Sequence, residues 1–106
     1  MPNSVIEKHP DASVLYEEFD FTDELPNDTS LNSGTSTVTA VDTAGTAAAS
    51  VVGTVSTSDM ILRAVVQAGS NGEDYFITFK AVGATSAHAS IKQLEMRVRS
   101  KVIGSL

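Results

Sequence analysis

The chain has 106 residues, a formal net charge of -6 and no cysteine. That length holds one domain, and the missing cysteine excludes a disulfide scaffold, a thiolate metal site and a cysteine nucleophile. The acidic balance argues against nucleic acid as a partner, no stretch approaches the ~20 apolar residues of a membrane-spanning helix, and the N-terminus lacks the apolar region of a signal peptide.

Residues 1–15 are predicted as an extended arm, because Pro2 and Pro10 discourage regular structure in a polar stretch. Val14 to Phe21 reads as the first strand, with Phe19 and Phe21 on one face and Asp20 on the other. Thr22 to Gly34 is rich in turn formers and is predicted as a loop. Thr35 to Asp42 is a second strand on its β-branched content. Ala47, Ala49, Val51, Gly53 and Val55 share one parity and suggest a small-residue inner face. A short helix over Thr46 to Val51 is the rival, since alanine favours helix.

From Asp59 onward the alternation is regular. Met60, Leu62, Ala64 and Val66 are expected to face inward, with Arg63 and Gln67 outward. Asn71-Gly72 tolerates positive φ and predicts a tight hairpin into the next strand, where Tyr75, Ile77, Phe79 and Ala81 face inward. The last strand breaks parity: Ala89 and Ile91 share one face, Leu94, Met96 and Val98 the other. An extra residue near Lys92-Gln93 would restore register, so a β-bulge is predicted there. Six to seven short strands at this spacing predict an all-β fold, an antiparallel β-sandwich spanning residues 16–103 behind the arm.

Reactive constellations are scarce. Asp20, Asp23, Glu24 and Asp28 are the densest polar cluster, but an EF-hand loop counted from Asp20 puts Leu25 where glycine is required and Leu31 where the bidentate glutamate belongs. His9 and His88 are far apart and have no cysteine to help them hold zinc. There is no nucleophile elbow and no phosphate-binding glycine loop. No catalytic, metal or cofactor-binding residue is expected, and no enzyme activity.

Charge is distributed unevenly. Eight of the 13 acids lie within the first 28 residues, whereas the C-terminal run carries Lys92, Arg97, Arg99 and Lys101 against Glu95. Such a chain either pairs its own ends or stacks head to tail on a copy of itself, the plain alternative being two solvated strand faces.

Tyr16-Glu-Glu-Phe-Asp-Phe-Thr-Asp-Glu-Leu25, the Ala/Ser/Thr/Val-rich middle, Glu73-Asp-Tyr-Phe-Ile-Thr-Phe-Lys-Ala81 and Leu94-Glu-Met-Arg-Val-Arg99 together resemble a group of small tailed-bacteriophage virion proteins. The likeness rests on the F-D-F-x-D-x-L pattern of the first strand and on Gly72, Tyr75, Ile77 and Phe79. It implies an immunoglobulin-like domain and a non-enzymatic head–tail or fiber–tail adaptor, joining the tail or neck to fibers or neighbouring virion subunits. The alternative is a capsid decoration or cement protein of the same fold. Assembly in the bacterial host cytoplasm, residence in the virion and a homo-oligomeric ring or other symmetric set of copies follow from the resemblance. So do partners among virion proteins, with neither nucleic acid nor membrane. Expected partner contacts are Val5 and Ile6 on the arm, Glu24, Leu25 and Leu31 in the long loop, and Arg97 and Arg99 on the last strand. A carbohydrate-binding module is a weaker reading, because the aromatic residues are mostly assigned to the core.

Overall fold

A computed structural model describes residues 4–8 and 15–99. The strands are β1 (Ser4–Lys8), β2 (Leu15–Asp20), β3 (Thr37–Asp42), β4 (Val52–Ser58), β5 (Ile61–Val66), β6 (Asp74–Val82) and β7 (Ala89–Val98), with one turn of 3-10 helix at Ala49–Val51. They form two sheets, a four-stranded one in the order β1-β7-β6-β3 and a three-stranded one in the order β2-β5-β4. Within both sheets the pairings are antiparallel, except that β1 runs parallel to β7. The domain is all-β, as the period-2 patterning predicts.

Alternation decides what lies between the sheets. Leu62, Ala64 and Val66 of β5, Tyr75, Ile77, Phe79 and Ala81 of β6, and Leu94, Met96 and Val98 of β7 are all buried, together with Val38 and Ala40 of β3. Each points to the side opposite its chain neighbours, so one strand fills the core and faces solvent at once. The loop after β2 closes one end. Phe21, Leu25 and Leu31 turn into the core while the Phe21 and Leu31 amides donate to the carbonyls of Met60 and Asp59 at 2.9 and 2.8 Å.

Three expectations are corrected. Part of the N-terminal arm is a strand: Ser4–Lys8 pairs with Leu94–Val98, and Ile6 packs against the core. A β7 edge left open by β6 supplies backbone partners that a polar, proline-flanked sequence does not advertise. Arm positions 1–3 and 9–14, with His9, and the last part of the expected sandwich span, 100–103, lie outside the described residues.

Asn71-Gly72 is a turn, but it does not close a hairpin. β5 pairs with β2 and β4, whereas β6 pairs with β7 and β3, so the segment carries the chain from one sheet to the other. Ala68, Gly69 and Gly72 all have positive φ, at 53°, 94° and 87°. At Gly69 a Cβ would stand 2.7 Å from a Val98 methyl carbon, so both the backbone angle and the close approach require glycine. Turn residues encode reversal; they do not encode which sheet receives the next strand.

The predicted bulge in β7 is absent. β6 and β7 stay in register from Asp74↔Arg97 to Val82↔Ala89. The inward parity of β7 simply continues past Leu94 to Lys92, whose side chain substitutes for an apolar one, and Ile91 is left 60% exposed on the outer face. The irregularity sits instead in β4, where the pairing with β5 shifts between Val52 and Val55. Fully buried Val51 closes the 3-10 turn, and after the shift Val55 and Thr57 stand opposite buried Ala64 and Leu62. The rival helix is therefore realised only as that single turn.

Candidate interaction surface

Among the described residues, no group of three or more His, Cys, Asp or Glu side chains is placed to hold a metal ion.

The expected contact residues separate. Leu25 and Leu31 are 4% and 6% exposed and belong to the domain's own core, so their side chains are not offered to a neighbour. Glu24 is exposed and pairs with Lys92 at 3.2 Å. Arg97 is exposed and contacts Glu95 at 3.0 Å. Arg99 reaches Asp74 at 2.8 Å, an ion-pair contact, and also donates to the carbonyls of Val98 and Glu73 at 2.9 and 3.3 Å. Val5 lies opposite Glu95 in the β1–β7 register, and Ile6 is half-buried against the core. A further pair, Arg63 with Glu18 at 2.9 Å, joins β5 to β2. Of the C-terminal cations, Lys92 meets an acid of the N-terminal third, whereas Arg97 and Arg99 pair with Glu95 and Asp74 of the second half.

Loop positions are fixed by carboxylates. Asp28, 6% exposed, accepts hydrogen bonds from the amides of Thr85 and Ser86, both at 2.9 Å, and from the Ser86 hydroxyl at 2.5 Å. The Ser86 hydroxyl, the two amides and nearby His88 hold its pKa below the ordinary aspartate value. This one side chain ties the long loop after β2 to the β6–β7 turn. Gly83 makes room for it: a Cβ there would fall inside the Asp28 carboxylate. Asp20 does the same on a smaller scale, its pKa lowered by the hydroxyl and amide of Thr22.

The two flanks of the domain differ. On the β2 flank Glu17 stands opposite buried Ala64, on the inward parity shared with Phe19, and burial raises its pKa. Inward-pointing charge is one way edge strands avoid pairing with other chains. On the opposite flank a groove of about 350 Å³ opens between β3 and β4, lined by Val38, Ala40, Ala47, Ala49, Val52 and Val55 among others. From Thr29 to Ser58 the sole charged residue is Asp42, and its carboxylate is turned onto the amides of Ala44 and Thr46. Sequence reasoning missed this groove. Its signal was the uncharged run of alanine, serine, threonine and valine, which by itself reads as ordinary strand.

Comparison with known proteins returned no match among family models, curated proteins or solved structures.

Proposed function

We propose that the chain is a non-enzymatic structural protein of a tailed-phage virion, an adaptor joining the tail or neck to fibers or neighbouring subunits, and that its sandwich is immunoglobulin-like. Strand order supports the fold assignment. β2-β5-β4 and β7-β6-β3 correspond to the B-E-D and G-F-C sheets of immunoglobulin domains, with the first strand transferred to the β7 edge. Tyr75, next to the start of β6, accepts a hydrogen bond from the Ser70 amide at 3.0 Å, the tie across the E–F corner known as a tyrosine corner. Two residues on, fully buried Ile77 stands where antibody domains place a cysteine.

The observation that carries the functional reading is the joint packing of the segments behind the phage resemblance. Phe19 of the F-D-F motif meets Phe79 of the Y-x-I-x-F motif edge to face, with ring centroids 4.9 Å apart. Two short patterns that could each arise by chance form one core contact.

The test is to locate the chain in particles produced by the genome that encodes it. Antibody-gold labelling at the neck or tail, with copy number by quantitative mass spectrometry in the range of a tail ring, is the expected result. Labelling spread over the head would favour the decoration protein. Purified particles lacking the chain would remove the virion assignment.

A further inference from the structure

We propose that the β3–β4 flank is a self-association surface, on which β4 of a second copy adds antiparallel to β4 of the first. This inference does not depend on the virion assignment. It rests on three observations.

The first is an inner face left open. Val55 stands opposite Ala64, which is fully buried, so its register points it into the sandwich, yet it is 38% exposed. Val55 lines the groove between the β3 and β4 edges together with Val38 and Ala40.

The second is an unguarded edge. β3 from Thr37 to Val41 and the whole of β4 contain no lysine, no proline and no charge, the devices that blunt edges elsewhere. The β4 bulge ends at Val55, and Val55–Ser58 is regular against β5, so its outer side is geometrically fit to pair.

The third identifies the occupant. The molecule carries a net charge of -6, and Glu17, Glu18 and Asp20 line the β2 edge at the far flank. Two copies meeting at β4 bring together uncharged surfaces and keep their acids apart. The same inward set, Val55 and Thr57, is supplied by both partners, which suits a two-fold isologous contact.

Sedimentation velocity of the full chain over a range of concentrations tests this. A reversible dimer is expected, and Val55→Lys should raise its dissociation constant at least about tenfold. Ile91→Lys, on the outer face of β7, should leave it unchanged. In parallel, the amides of Val55–Ser58 should gain hydrogen-exchange protection with concentration in the wild type, a readout that survives if Val55→Lys fails to fold. A monomer at all concentrations overturns the proposal. So does a dimer insensitive to Val55→Lys, or protection that appears only when a different protein is added.

Discussion

The ammonium group of Lys92 stands 5.3 Å from the centre of the Phe21 ring. It also lies 5.8 Å from the ring of Phe19, donates to the Asp20 carbonyl at 3.2 Å and pairs with Glu24. The aliphatic stem thus covers the end of the core while the charge is placed on two aromatic faces and a carboxylate. Lys92→Met keeps the stem and removes the charge, so it should cost about 0.5–1 kcal/mol in urea unfolding. Lys92→Glu adds repulsion from Glu24 and should cost more. Equal losses in the two variants would assign the whole effect to packing.

Asp28 joins two loops through a carboxylate whose pKa is depressed in the folded state. An acid with a lowered folded pKa stabilises above its unfolded pKa of about 3.9, and that contribution disappears as pH falls through the folded value. Asp28→Asn should therefore melt below the wild type at neutral pH, with the gap closing in strong acid. Thermal scans by circular dichroism along a descending pH series measure it. Gly83→Ala, which fills the space of the carboxylate, should reproduce the neutral-pH deficit.

Glu17 carries the opposite shift, since burial raises its pKa. A raised carboxylate weakens the fold once ionised, so the fold is relieved as pH falls through the folded value. Glu17→Gln should raise the melting temperature at pH 7, and the gain should shrink as pH falls through the raised folded value and the wild-type group is neutralised. Light scattering should show the variant aggregating more readily, because the β2 edge has lost its guard charge.

Tyr75→Phe removes the acceptor for the Ser70 amide and leaves ring packing intact. A loss of about 0.5–1.5 kcal/mol is expected, with faster amide exchange at Ser70 than elsewhere in the turn. Unchanged exchange at Ser70 would mean that the positive-φ residues Ala68 and Gly69 hold the corner without the hydroxyl.

The inward sets of β5 and β6 could be read from the chain because each side of those strands meets a different medium. Leu62, Ala64 and Val66, and Tyr75, Ile77, Phe79 and Ala81, are buried as their alternation predicts. Lys92 defeated the same rule, since a lysine on the inward parity looks like a break in pattern until two phenyl rings are seen beneath its stem. Leu25 and Leu31 are buried although the sequence places them in an exposed loop, because the loop folds back over the end of the core. The Asp28 clamp joins residues 57 and 58 positions apart, a separation at which local spacing carries no signal.

By itself, the amino-acid order determined that this is a cysteine-free β domain, where most strands run and which residues of the second half are dry. Those properties follow from side-chain alternation and composition, which act over a few neighbouring positions. Only the tertiary structure decided that Asn71-Gly72 crosses between sheets, that Ser4–Lys8 pairs with β7, and that β3 and β4 leave an uncharged groove between them. Each depends on which distant strand supplies the hydrogen-bonding partner, and that choice is made by the packing of the whole molecule.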